Sequence, residues 1–337
     1  MFMKQSGSII WIFIINLFVW QQIGAKSRVV TENGFVGCVE LSNSSTRVVL
    51  EPNIGGRVLK YELNGNNVLY IDTTQNGLDE EPEKMSLSIS GGRFDVGPAK
   101  IIPKHKNLWF GKWEAEITGD FSARLTSKPD KTLGIQLIRE FSLDTKSSKL
   151  ICKQTIKNIS NETKRYCYWG RTLVKGGGIR LAPLNPKSRY PKQYISYGKK
   201  KELFFEPEEE ESLTIMDNTF ILKGTSKYKK YITDSEDGWL ANLSKDSLLF
   251  ITSYNVYPDK IYGEMTGCTA SFWFLRDEKC EVEPLGPWDI IEPAETSSFS
   301  ETWHLFDYTK KETIDDNFSV VKKVLNRYIN QTKAKGE

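Results

Sequence analysis

Three tryptophans and two arginines, Trp109, Trp113, Trp169, Arg93 and Arg171, are residues whose chemistry suits a polyhydroxylated ring. Aromatic faces match the C–H faces of a pyranose, and a guanidinium donates paired hydrogen bonds to hydroxyls, carboxylates or sulfates. Each also has a plainer use, the tryptophans in core packing and the arginines in surface ion pairs. Glu281 and Glu283 stand two apart in Glu281-Val-Glu-Pro, so on a strand their carboxylates share one face. There are 2 histidines. His105 lies in the basic, aromatic stretch Lys104-His-Lys-Asn-Leu-Trp, and His304 sits between Trp303 and Leu305 in a terminal strand. The 5 cysteines are widely spaced without a CxxC pair, which allows at most two disulfides and reads most simply as buried free thiols. No metal-ligand cluster or nucleophile motif occurs. Gly176-Gly-Gly178 lacks a following Lys-Ser/Thr and reads as a bulge or turn rather than a phosphate cradle.

These residues must be held by strands. From Val29 to about Tyr308 the chain is a succession of short β-type runs separated by Gly, Asn, Asp, Pro and Ser, the pattern of an all-β domain. Asn64-Gly65 predicts a hairpin between Arg57–Leu63 and Val68–Ile71. Runs over 114–117, 121–126, 134–143 and 149–157 predict an antiparallel meander. In the last, Leu150, Cys152, Gln154 and Ile156 alternate with Ile151, Lys153, Thr155 and Lys157. The Pro- and Lys/Arg-rich stretch 183–197 and the acidic run 206–211 are expected to be solvated loops. At the end, Ile314, Phe318, Val321, Leu325 and Tyr328 recur every three to four residues behind Thr313, which predicts an amphipathic helix packed outside the sheets.

Residues 1–25 read as an export signal: Lys4, an apolar run from Ile9 to Trp20, then the small residues Gly24-Ala25. The apolar run of about 12 residues is shorter than the roughly 20 that span a bilayer. The expectation is a periplasmic or secreted chain with no membrane attachment after cleavage. Without Lys4 the balance is 45 basic against 43 acidic residues, which makes nucleic acid a poor partner. The expected organisation is a signal peptide (1–25), one large β domain (26–310) and a helix with tail (311–337).

Four segments carry a family resemblance. They are Asn53-Ile-Gly-Gly-Arg-Val-Leu-Lys-Tyr-Glu-Leu-Asn-Gly; Leu133-Gly-Ile-Gln-Leu-Ile-Arg-Glu-Phe-Ser-Leu-Asp; Thr155-Ile-Lys-Asn leading into Tyr166-Cys-Tyr-Trp-Gly-Arg; and Glu281-Val-Glu-Pro with Glu301-Thr-Trp-His-Leu. In this order they resemble the galactose mutarotase-like (aldose 1-epimerase-like) superfamily, over roughly residues 35 to 308. The resemblance implies a large antiparallel β-sandwich, a supersandwich, with the helix appended. It also implies a saccharide cleft on the concave sheet. Mutarotation needs a base for the anomeric hydroxyl and an acid for the ring oxygen. The family's Glu falls on Glu283, while its His-Gly-x-x-Arg motif has no counterpart; the region reads Gly91-Gly-Arg-Phe-Asp-Val-Gly-Pro. His105 or Tyr168 then stands as proton partner, and Arg93, Trp109, Trp113, Trp169, Arg171 and Glu281 as substrate-binding residues. The implied ligand is a mono- or oligosaccharide, acidic or sulfated if the arginines face the cleft, with no cofactor or metal. The implied setting is polysaccharide utilisation. A non-catalytic carbohydrate-binding protein and a polysaccharide lyase or hydrolase are the alternatives.

Overall fold

Alternation of apolar and polar residues drives this chain into two antiparallel sheets that share one interior. The computed structural model describes residues 26–78, 89–200, 202–275, 278–308, 319 and 322–326. One sheet has 13 strands and the other 10, so the all-β sandwich expected from the sequence is the architecture formed. Across the middle of the larger sheet run, in spatial order, Arg57–Leu63, Gly92–Gly97, Lys164–Lys175, Lys279–Pro284, Ala270–Leu275, Lys230–Thr233 and Tyr194–Tyr197. In the smaller sheet Thr296–Asp307 lies between Leu248–Tyr254 and Leu150–Asn158.

The predicted meander is present as Glu114–Gly119, Ser122–Thr126, Ile135–Leu143 and Leu150–Asn158, each paired antiparallel with the next. Leu150, Cys152, Gln154 and Ile156 are buried on one face, whereas Ile151 and Lys153 are exposed on the other. The core between the sheets gathers Phe94, Val96, Tyr231, Phe272, Val282 and Trp303 among its members. All 5 cysteines are buried free thiols.

Two expectations change, and the third concerns the C-terminal helix, which keeps its expected place. After the Asn64-Gly65 turn, where both residues have positive φ, the second arm of the hairpin is only Asn66–Asn67. Asn67 turns its side-chain oxygen onto the amides of Tyr61 and Leu69, and Leu69 bridges to Val174 instead. Tyr194–Tyr197 is not a solvated loop but a fully buried strand, because its aromatic residues pack against Phe220 and Tyr231. At the C-terminus residues 322–326 are helical, and Leu325 packs with Leu181, Ile221 and Trp239 on the outer face of the smaller sheet. Ile314, Phe318, Val321 and Tyr328, like residues 1–25, lie outside the described residues.

Candidate functional site

Strand geometry sends alternate side chains of the larger sheet to opposite faces. Phe94, Tyr168, Val282, Phe272 and Tyr231 point into the core. Their neighbours Arg93, Asp95, Trp169, Arg171, Glu281, Glu283, Ser271, Trp273 and Lys230 therefore stand together on the other face. Register fixes the neighbours: Arg171 faces Arg93, Trp169 faces Asp95, Ser271 faces Glu283, and Trp273 lies between Glu281 and Lys230. Five strands contribute to one polar cluster.

Glu283 is the centre of that cluster and is 0% exposed. One oxygen takes the ammonium of Lys230 at 2.7 Å and the hydroxyl of Ser271; the other accepts the indole N–H of Trp169 at 3.3 Å. Burial, reinforced by the adjacent Glu281, pushes the Glu283 carboxyl up to about 7 despite Lys230. Burial also acts on Glu281, but Arg171, 3.3 Å away, and Arg93 outweigh it and hold that carboxyl below its usual range. The two glutamates thus have their proton affinities driven apart, which is how an acid and a base are made from like residues.

A second group adjoins the first. Asp95 receives the indole N–H of Trp109 at 2.6 Å, His105 at 2.8 Å and Arg171 at 3.5 Å. Burial opposes the charge of Asp95, yet His105 and Arg171 hold its carboxyl well below the usual carboxylate range. The other ring nitrogen of His105 faces the carbonyl of Pro103 at 3.0 Å. Both nitrogens meet acceptors, an arrangement that favours the doubly protonated ring, and Asp95 raises its proton affinity against the effect of burial. Trp109 is set in place by the turn at Gly55-Gly56: both glycines have positive φ, and a Cβ on Gly55 would lie 2.1 Å from the Trp109 carbonyl oxygen. Arg171 joins the two groups, stacked 4.4 Å over Trp169, and its side chain is 16% exposed, so the cluster meets solvent there.

The arrangement can exchange a proton at Glu283 and present Arg171, Trp109 and Trp273 to a ligand. A groove of about 640 Å³ lined by Lys192, Tyr194, Glu210 and Ile215 lies at the sheet edge and shares none of these groups.

No family model matches the sequence, and no curated protein matches it. Solved structures do. A candidate aldose 1-epimerase of Escherichia coli K12 superposes with a TM-score of 0.59 at 11% identity, over 80% of this chain and 98% of that one. A galactose mutarotase-like protein of Lactobacillus casei gives 0.55 at 11% identity, over 80% and 100%. The Slr1438 protein of Synechocystis gives 0.55 at 17% identity, over 84% and 98%. The chain has the galactose mutarotase-like fold.

On this mutarotase-like scaffold the sequence-predicted residues separate. Glu283, Glu281, Arg171, Trp169 and Arg93 come together, with His105 and Trp109 attached through Asp95. Tyr168 does not join them. It lies on the core face of its strand, stacked on Phe299 with its hydroxyl on Glu301. Trp113 is likewise a core residue, lying under the guanidinium of Arg139. His304 packs beside Phe306 on the smaller sheet. Asp95, Lys230, Ser271 and Trp273 were not singled out by sequence. For Asp95 a signal existed, since it stands two residues from Arg93 in the same strand.

Proposed function

We propose that the protein binds a saccharide over the polar face of the larger sheet and moves a proton on it, as an aldose 1-epimerase-like isomerase. The observation that carries this reading is Glu283: a buried carboxyl whose proton affinity sits near neutrality, 2.7 Å from Lys230 and beside an indole and a guanidinium. Ionised Glu283 takes the proton of the anomeric hydroxyl while Lys230 gives one to the ring oxygen. The C1–O5 bond breaks to an open-chain aldehyde, and reclosure on the other face returns both protons. His105, with both N–H groups committed, orients Asp95 and Arg171 rather than touching the sugar. Arg171 and Arg93 favour an acidic or sulfated sugar. The apolar run 9–20 and Gly24-Ala25 support export, and with it a place in extracellular polysaccharide use.

NMR saturation exchange or polarimetry on a panel of aldoses and uronic acids tests the reading. Glu283→Gln is expected to lower the interconversion rate by about 10²- to 10⁴-fold, the usual worth of one general acid–base group. Equal rates in both proteins remove the isomerase. The binding-only reading is favoured by one observation, that Glu283 already accepts three hydrogen bonds. Calorimetric binding of a saccharide without turnover would select it.

A further inference from the structure

The Lys230–Glu283 pair is closed off by a turn that is itself uncomfortable. Over it lies Met265, whose thioether sulfur is 3.8 Å from the Lys230 ammonium. Met265 and Thr266 both adopt left-handed backbone, with φ of 29° and 65°, and Gly267 follows at 80°. Side-chain-bearing residues visit that region sparsely, and where they cluster they mark clamps and switches. The turn is tied by the Ala99 amide on the Glu264 carboxylate at 2.7 Å and by the Tyr190 hydroxyl on Thr266. Its own closure is the pair of amides of Gly267 and Cys268 on the Glu264 carbonyl, at 3.0 and 3.2 Å.

Lys230 is 1% exposed, with one carboxylate and the rings of Trp169 and Trp273 around it. A buried ammonium carries three donors, and a thioether is a weak acceptor for one of them. We infer that the turn Glu264–Gly267 is a gate, and that the Met265 thioether holds the place at which a saccharide hydroxyl reaches Lys230. The inference rests on reading Lys230–Glu283 as the saccharide site. Opening relieves the backbone of Met265 and Thr266, and the hydroxyl that replaces sulfur is the better acceptor. Both terms favour the open, liganded form, while Tyr190 and Ala99 favour the closed one. Gly263, just before the turn, and Gly267, its last residue, serve as the hinges.

Cys268 reports the motion. It is 0% exposed beneath the turn, with its thiol on the Glu264 carbonyl, while Cys38 lies in a separate cluster and serves as the control for global unfolding. The full chain is treated with iodoacetamide under native conditions, and the peptides carrying each cysteine are followed by mass spectrometry. Cys268 is expected to react faster than Cys38. Met265→Ala removes the plug and should raise the Cys268 rate on the order of tenfold with Cys38 unchanged. Met265→Gln offers Lys230 a carbonyl oxygen at similar length and should lower it severalfold. Cys268 and Cys38 labelling together in the wild type, or Met265→Ala and Met265→Gln moving the rate in the same direction or not at all, would overturn the gate. The readout needs no turnover: a protein that gates as described yet neither binds nor interconverts sugars overturns the proposed function and leaves the gate standing.

Discussion

Two carboxylates in this molecule are equally buried and chemically unlike. Glu283 on the polar face and Glu301 between the sheets are both 0% exposed, and each accepts three hydrogen bonds. The donors to Glu301 are neutral: Tyr168, the hydroxyl of Thr252 at 2.8 Å and the indole of Trp303 at 2.7 Å. Burial raises its proton affinity, and its three donors carry no charge. Glu283 has an ammonium, a second carboxylate and a turn in strained backbone above it. Burial alone therefore does not make a site. On the proposed reading, what distinguishes the two is a charged partner for the proton and a turn above it that can open.

The largest expected effect separates the charged pair from the neutral network. Removing one partner of a buried ion pair strands the other charge or forces it to take up a proton, so Lys230→Ala should cost up to roughly 3–5 kcal/mol of stability in urea unfolding, most at a pH well above that at which Glu283 holds its proton. Adding Glu283→Gln should restore most of that loss, because no charge is then left behind. Glu301→Gln should show no comparable coupling to any cation. If the double variant is no more stable than Lys230→Ala, the pair is not the source of the cost.

Much of this contrast is invisible in the sequence, for physical reasons. The meander is legible because Ser122–Thr126, Ile135–Leu143 and Leu150–Asn158 each bury one face and turn the other outward, so polarity alternates. That Glu281 and Glu283 share a face is legible from spacing alone. Which of Tyr168 and Trp169 faces the site is a matter of one-residue phase, which flips every side chain, and the core took the tyrosine. Asp95 and Lys230 carry no signal in the sequence that sets them apart from other charged residues. They are buried under side chains that come from outside their own strands, Met265 on Lys230 and His105 and Trp109 on Asp95, and no local pattern announces that cover. The likeness in Asn53–Gly65 and Glu281–Pro284 pointed to the right fold. With the histidine motif missing, the sequence left His105 or Tyr168 as its proton partner, whereas the cation beside Glu283 in the structure is Lys230, at 2.7 Å.

A smaller effect is expected from pH. The folded state keeps the Glu283 proton up to about 7, above the ordinary 4.5. A carboxyl shifted in that direction contributes its full stability below 4.5 and loses it as pH rises through about 7. The slope should be on the order of 1 kcal/mol per pH unit at its steepest. Glu301 is raised as well and adds to this descent, His105 is raised from 6.5 and adds a loss only above that pH, and Asp95 is lowered and acts in acid. The difference between the wild-type and Glu283→Gln curves isolates the one carboxyl. Chemical denaturation across pH 4.5 to 7 measures it, and parallel curves would remove Glu283 as the group whose proton is poised near neutrality.

Tyr168→Phe gives the smallest effect and the sharpest test of which face belongs to the site. Deleting the hydroxyl removes one hydrogen bond to Glu301 and leaves the ring stacked on Phe299, 4.4 Å between centroids. Two donors remain on the carboxylate, which is already disposed to hold its proton, so the loss should be about 1 kcal/mol. Sugar interconversion or binding should stay at the wild-type level, because the hydroxyl is separated from Glu283 by the thickness of the sheet. A fall in turnover beyond what that small loss of stability explains would mean that the core network reaches through the sheet to the polar face. The division between a static carboxylate and a working one would then have to be abandoned.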